Sequence, residues 1–155
     1  MQKKILLILV GLMFTVNSTI AQPGRAVFAD TTRFTQLPAV ADNLMAFSGG
    51  TPTTLSKPEL AELNTLLNKA AAAYNNDTKS EAFNIKELSG YIFQLATVIN
   101  KYGEKEVWIN ALCNVSGTDW RNKMQLVMDG GNCYFNIRIN LTKKSAGQLY
   151  VNGYA

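Results

Sequence analysis

The chain of 155 residues contains no histidine. Histidine is the commonest general base and metal ligand near neutral pH, so its absence removes the usual Ser-His and Cys-His catalytic arrangements. The sequence also has no Gly-x-Ser-x-Gly elbow and no Gly-x-x-x-x-Gly-Lys phosphate loop, because the glycine pairs 49–50 and 130–131 stand alone. We therefore predict a non-catalytic protein with no catalytic residues, no cofactor and no bound metal.

Acidic residues are few, at 11 in the whole chain, and they are spread singly. Asp119 and Asp129 flank a short apolar segment and could lie near one rim of the fold, which keeps a carboxylate-based hydrolase as an alternative function. Their Ser, Gly and Asn neighbours favour turn residues that bond to their own backbone. Asp129 also begins an Asp-Gly-Gly-Asn run, but the further acidic ligands of a calcium loop are missing.

The N-terminus has the three parts of a secretory signal peptide. Lys3 and Lys4 precede an apolar stretch at residues 5–16, and small residues lie just before Gln22. The stretch is shorter than the roughly 20 residues that span a bilayer. We predict a signal peptide at residues 1–21 and a secreted or periplasmic product with no membrane span after cleavage. Cleavage also removes two lysines from a formal net charge of +4, and the remaining basic residues are scattered, which argues against a nucleic-acid partner.

Cysteine occurs only at Cys113 and Cys133. Two cysteines on neighbouring predicted strands of an exported protein indicate one structural disulfide. A reactive thiol would need an activating base beside it, and neither cysteine has one in sequence.

One amphipathic helix is predicted at residues 56–75. Ser56 and Glu59 form a capping-box pattern with Pro58 in the first turn. Apolar residues then recur at helical spacing: Leu60, Leu63, Leu67, Ala70 or Ala71, and Tyr74. Residues 22–55 before it are rich in Thr, Ala, Gly and Pro and are predicted to be an irregular lead-in, with a short helix at 39–47.

After the helix the hydrophobic period changes to two. Residues 91–100 and 106–115 are predicted to form a hairpin, followed by strands at 124–128, 133–142 and 148–154, with a turn at 143–147. The strand at 133–142 alternates most regularly, which predicts one face on the core and one in water. The fold class is therefore α+β, with residues 56–155 forming a single domain in which one amphipathic helix packs on a four- to five-stranded antiparallel sheet.

The last third of the chain resembles a known group of proteins. The segments Gly-Glu-Lys-Glu-Val-Trp-Ile-Asn at 103–110 and Asp-Gly-Gly-Asn-Cys-Tyr-Phe-Asn at 129–136, with the ending Val-Asn-Gly-Tyr-Ala, resemble an uncharacterised family of small exported proteins of Bacteroidetes-type bacteria. The resemblance implies bacterial export and a compact sheet, and it brings no activity. The order of one helix and then antiparallel hairpins is also similar to cystatin-like domains, which implies protease inhibition through hairpin tips; the second hairpin, at 143–147, lacks the Pro-Trp of cystatin inhibitors.

The candidate binding surface is an amphipathic patch on the predicted solvated face of the sheet. Its members are Trp120, Tyr134, Asn136, Arg138 and Asn140. Aromatic and amide groups of this kind suit an envelope or extracellular protein, or a glycan. The alternative is that Trp120 anchors its loop into the core and the asparagines are ordinary solvated sheet surface. Our first hypothesis is an exported non-catalytic binding or interaction domain; the alternatives are a cystatin-like protease inhibitor and the carboxylate-based hydrolase.

Overall fold

The computed structural model describes residues 26–39, 47, 49–78 and 80–154. The predicted signal peptide and most of the predicted helix at 39–47 lie outside these residues. The described part of the chain contains one α-helix and six strands: β1 (Phe34–Leu37), β2 (Thr51–Thr53), α1 (Lys57–Asp77), β3 (Ile92–Ile99), β4 (Lys105–Leu112), β5 (Tyr134–Asn140) and β6 (Ser145–Val151).

All six strands belong to one sheet in the order β1-β3-β4-β5-β6, with β2 also paired to β3. Antiparallel pairing joins β3 to β4, β4 to β5 and β5 to β6. On its other side β3 pairs with two short strands, because β1 runs parallel along residues 93–96 and β2 runs antiparallel along residues 97–99. The predicted α+β class is confirmed. The sheet has six strands rather than four or five, and one of its pairs is parallel.

The N-terminus of α1 has the predicted capping contacts. The carboxylate of Glu59 accepts hydrogen bonds from the backbone N–H and the hydroxyl of Ser56, at 2.8 and 2.7 Å. The same side chain forms an ion pair with Lys105 of β4, with 2.6 Å between Oε1 and Nζ. These bonds lower the pKa of Glu59 from 4.5 to about 2, the Lys105 bond being the largest cause. One side chain thus caps the helix and ties it to the sheet.

The main core lies between α1 and one face of the sheet. Leu63 and Leu67 of α1 are fully buried there against the apolar face of β3, β4 and β5, as the sequence periods predict. From β5 this face includes Phe135, Ile137 and Ile139. The helix and the strand with the most regular alternation are therefore packing partners.

Three segments differ from the sequence-based prediction. Residues 124–128 form no strand; they cross the sheet as an irregular segment whose hydrogen-bond partners are side chains. The segment interpreted as an irregular lead-in supplies β1 and β2, and the backbone N–H of Val27 donates to the side chain of Asn64 in α1 at 2.9 Å. The predicted turn at 143–147 is also shorter, because β6 begins at Ser145.

No helix in the described ranges is both long enough and apolar enough to cross a bilayer.

Candidate functional site

A disulfide closes the connection between β4 and β5 into a loop. Cys113 and Cys133 are bonded, with their Cα atoms 5.0 Å apart, and the backbone N–H of Cys113 donates to the carbonyl of Cys133 at 2.9 Å. The predicted disulfide is confirmed. We call residues 114–132, between the two cysteines, the strap.

The strap lies across the face of the sheet opposite α1, where two buried amide side chains bind its backbone. Gln94 of β3 donates to the carbonyls of Trp120 and Lys123, at 2.6 and 2.8 Å, and accepts from the N–H of Gln125 at 2.8 Å. Asn110 of β4 donates to the carbonyl of Gln125 at 2.7 Å. Buried polar groups need hydrogen-bond partners, and here the two side-chain amides and the strap backbone supply them to each other. The same bonds fix the position of the strap on the sheet.

The middle of the strap, at Arg121, is attached to β1 and to the segment before β1. The carbonyl of Arg121 accepts from the hydroxyl of Thr35 at 3.0 Å, and its guanidinium donates to the carbonyl of Thr32 at 2.9 Å. The same guanidinium lies 4.3 Å from the centre of the Trp120 ring, a cation–π contact. Trp120 is half-buried in this position.

This second face of the sheet is therefore covered over β3 and β4, where the expectation of a solvated face is wrong, whereas on β5 the same face is half-buried or exposed, as the alternation predicts. Ala96 and Val98 of β3 are fully buried on it and pack with Ala39 and Phe47, while Trp108 and Met124 contact the same cluster. Strand β3 is thus buried on both faces. Its sequence, Ile-Phe-Gln-Leu-Ala-Thr-Val-Ile, lacks the polar alternation of a one-sided strand for this reason.

The structure separates Trp120 from the other predicted binding residues. Tyr134, Asn136, Arg138 and Asn140 share one face of β5, but Trp120 lies over β3, two strands away, which is about 10 Å at the usual strand spacing. On β5 only Arg138 is exposed, with its guanidinium 5.4 Å from the Phe47 ring; Tyr134, Asn136 and Asn140 are half-buried.

Tyr134 and Asn140 have structural partners. The ring of Tyr134 packs on Gly130, where a Cβ atom would come within 2.6 Å of it. Asn140 donates to the carboxylate of Glu104 at 2.9 Å and accepts from the N–H of Lys143 at 2.8 Å. Both residues therefore shape the ends of β5.

An exposed apolar surface that the sequence pattern does not predict lies beside the β5 residues. It consists of Leu126, Val127 and Met128 of the strap, which are 65%, 38% and 84% exposed, and Tyr150 of β6, which is 55% exposed. We call these four residues the apolar ridge. The sequence signal for this surface is the apolar run before Asp-Gly-Gly, which by its period predicts a strand.

The backbone of the ridge is fixed from β6. Asn152, which follows β6, donates through its side-chain amide to the carbonyl of Val127 at 2.6 Å and to that of Asp129 at 3.1 Å. Tyr150 is two residues earlier and pairs with Asn136, so it points to the same face of the sheet as the strap. The exposed side chains are therefore carried by a backbone that is anchored at both ends of the run.

The two long hairpins end side by side at one end of the sheet. Glu104, at the β3–β4 turn, forms an ion pair with Lys143 of the β5–β6 turn at 2.7 Å. The Lys143 bond and that of Asn100 lower the pKa of Glu104, and the Glu104 carboxylate raises the pKa of Lys143. Tyr102 is 73% exposed at the tip of the first hairpin. At the same end of the sheet, Gly50 lies against the carbonyl of Ile99.

The two aspartates considered for catalysis are both exposed. The carboxylate of Asp119 accepts from the side chain of Asn122 at 2.8 Å, and its carbonyl accepts from the N–H of Lys123 at 2.8 Å, the self-bonding turn role that its neighbours indicate. The carbonyl of Asp129 accepts from Asn152. Among the described residues, no three His, Cys, Asp or Glu side chains come together as a metal site.

Comparison with known proteins returned no match: none of the family models, curated proteins or solved structures searched is similar to this chain.

Proposed function

We propose that this chain is an exported, non-catalytic binding module that contacts a partner protein through the apolar ridge. The observation that carries the proposal is the exposure of three consecutive apolar residues, Leu126, Val127 and Met128, on an anchored backbone. Isolated exposed apolar residues are common on soluble proteins, whereas contiguous ones typically belong to interaction surfaces.

The anchoring favours binding over chance exposure. The disulfide, the Gln94 and Asn110 amides and the Asn152 amide restrain the strap before any partner arrives. A restrained loop loses less conformational entropy on association than a free one. Met and Tyr are enriched in protein interfaces, while aliphatic Leu126 and Val127 suit a protein surface better than the polar surface of a glycan.

Export is part of the same proposal. The signal-peptide pattern at residues 1–21 supports it, and the Cys113–Cys133 disulfide is of the kind that persists in oxidising compartments. A partner is therefore expected in the periplasm or outside the cell.

The test is affinity capture from the envelope and secreted fractions of the source organism, followed by titration with the purified partner. The double variant Leu126→Ser/Met128→Ser is expected to weaken binding at least about tenfold. Tyr102→Ser, which removes an equally exposed side chain at the hairpin end, is the matched control and should leave affinity unchanged. A partner that binds the double variant normally would exclude the ridge, and a captured glycan would replace the protein partner.

A second function, protease inhibition of the cystatin type, is supported by one observation. The β3–β4 and β5–β6 turns lie together, joined by the Glu104–Lys143 ion pair, and Tyr102 projects from the first of them. Inhibition of cysteine proteases at micromolar protein that is lost in Tyr102→Ser, and kept in the Leu126→Ser/Met128→Ser variant, would support it. A panel of such proteases that stays fully active would exclude it.

A further inference from the structure

A groove of about 650 Å³ lies between the C-terminal half of α1 and strand β6, on the helix side of the sheet. Its walls carry short or apolar side chains: Leu66, Ala70, Ala73 and Tyr74 from α1, and Ala146 and Gly147 from β6. Space of this size next to a strand is enough for a short stretch of polypeptide.

One wall of the groove is the edge of the sheet. Strand β6 pairs with β5 on one side, and no other strand of the described chain pairs with it on the other. An edge strand presents unpaired N–H and C=O groups outward and is a template for a further strand. Edges are commonly protected by proline, by charged side chains or by a bulge. Ser145, Ala146 and Gly147 are small, exposed and uncharged, and β6 contains no proline, so its bulge is the one such device within the strand.

The edge has one irregularity, which limits the length of an added strand. Ile137 pairs with Leu149 and Ile139 with Ala146, so Gly147 and Gln148 together face Arg138 in a bulge. A bulge increases the local twist of the edge. A short segment can follow that twist, whereas a long flat strand cannot.

The charges along the groove define the occupant further. Lys69 and Lys144 lie toward one end, where Lys144 is also 3.7 Å from Glu62, and Asp77 lies at the other end beside the C-terminus of α1. A helix C-terminus carries partial negative charge, which adds to that of Asp77. The groove is therefore cationic at one end and anionic at the other.

The spacing of these charges fits an extended peptide. Lys69 and Asp77 are eight helical positions apart, which is about 12 Å along α1. In a strand, residues four apart point to the same side and are separated by about 13 Å. An acidic and a basic residue four positions apart can therefore reach both ends, with the residue midway between them facing Ala70 and Ala73.

We propose that the α1–β6 groove binds an extended peptide as an added strand on β6, with an acidic residue toward Lys69 and a basic residue four positions away toward Asp77. The backbone hydrogen bonds of the peptide supply affinity, and the alternate side chains that face α1 supply selectivity, as in other cases of strand addition to a sheet edge. This site is separate from the apolar ridge and does not depend on the function proposed for the ridge.

The probe is the peptide acetyl-Glu-Thr-Val-Thr-Lys-amide, titrated into the isotope-labelled chain from residue 22 onward and followed by amide NMR shifts. Saturable binding below about 1 mM is expected. The shifts should concentrate at residues 70–74 and 145–149. The same peptide with its backbone nitrogens methylated cannot donate to β6 and should not bind. Equal binding of the methylated peptide, or no binding of the parent peptide, would overturn the proposal.

Two adjacent alanines provide a matched pair of variants. Ala73 lines the groove, whereas Ala72 is also exposed on α1 but does not line it. Ala73→Arg is expected to lower the affinity for the peptide at least about tenfold, whereas Ala72→Arg should change that affinity less than about twofold. Equal losses in both variants would assign the effect to charge or helix stability and would contradict the groove.

Charge reversal tests the orientation. Lys69→Glu should weaken binding of the probe and strengthen binding of the peptide in which Glu is replaced by Lys. Lys86→Glu makes the same change in net charge outside the groove and should alter neither affinity. The Leu126→Ser/Met128→Ser variant should bind the peptide normally. The proposal for the ridge and the proposal for the groove can therefore be tested independently of each other.

Discussion

The side-chain amide of Asn110 donates a hydrogen bond of 3.1 Å to the side-chain oxygen of Gln94 on the neighbouring strand. The two residues are directly paired across β3 and β4, and both are buried beneath the strap. Between them they bind the strap at the carbonyls of Trp120, Lys123 and Gln125 and at the N–H of Gln125. The strap is therefore held by side chains in place of a strand ladder.

Gln94→Leu is expected to destabilise the protein by about 2 kcal/mol or more, because it leaves three partly buried backbone groups of the strap without their partners. Urea unfolding measures the change, and hydrogen exchange should show reduced protection of the Gln125 amide. Gln148→Leu makes the same chemical change at an exposed position of β6 and should cost less than about 0.5 kcal/mol. Equal costs in the two variants would contradict the role given to Gln94.

Glu59 should make stability depend on pH in the acid range. Its pKa is about 2 in the folded chain against an ordinary 4.5, so its contribution is complete above pH 4.5 and is lost as the pH falls toward 2. Between pH 4.5 and pH 2, the free energy of unfolding of the Glu59→Gln variant should therefore fall by about 1 kcal/mol less than that of the wild-type chain. This value is reduced for the partial exposure of the pair. Urea unfolding at a series of pH values measures both proteins.

The control for this titration is Glu62→Gln, which removes the carboxylate of the exposed pair with Lys144 at 3.7 Å. Its effect on the free energy of unfolding at neutral pH should be within about 0.5 kcal/mol. Parallel pH curves for the wild-type chain and Glu59→Gln would show that the Lys105 contact does not stabilise the fold.

Removal of the disulfide should lower stability by roughly 3 kcal/mol in the loop-entropy description, given the 20-residue separation of the cysteines. The variant Cys113→Ser/Cys133→Ser and the wild-type chain under reducing conditions should lose the same amount in denaturant unfolding. The side-chain bonds from Gln94 and Asn110 do not involve the cysteines, so a folded sheet should remain. Complete unfolding of both forms at 25 °C would show that the strap cannot be placed without the disulfide.

Gly131→Ala should displace Tyr154. Gly131 has φ of +55°, and an added Cβ would overlap the Tyr154 ring, whose hydroxyl donates to the carbonyl of Ala82 at 2.9 Å. We expect a loss of about 2 kcal/mol or more in thermal or urea unfolding. The part caused by overlap with the ring should vanish in a Tyr154→Ala background, whereas the strain of alanine at positive φ should remain. Gly153→Ala, where a Cβ meets no atom within 4 Å, is the control.

Much of the fold follows from local patterns in the sequence. The capping box and leucine spacing predict α1 within two residues of its ends, and alternation predicts β5, because both signals depend on neighbours in the chain. Strands β1 and β2 have only four and three residues and one contains Pro52, so they carry no usable period. They form strands because β3 offers them an edge.

The candidate site was less predictable for a related reason. Residues 126–128 are apolar enough to suggest a strand, and nothing nearby in sequence indicates that Gln94 and Asn110 would bind the preceding backbone instead. The sequence does not predict the place of Trp120 over β3, because that place depends on the same distant contact with Gln94. Alternation did place Tyr134, Asn136, Arg138 and Asn140 on one face.

The pairing of β3 has a consequence for how the chain must be assembled. Its partner β4 follows it through a short turn, but the strands on its other side, β1 and β2, precede the helix. Contacts between such distant segments form more slowly than a hairpin. Until they form, the long apolar strand at the centre of the sheet is an open edge available to other copies of the chain. Residues 34–37 and 51–53 thus cover this edge of β3 and prevent its pairing with other copies of the chain. A chain shortened from its N-terminus to α1 would keep every hairpin but would expose that edge.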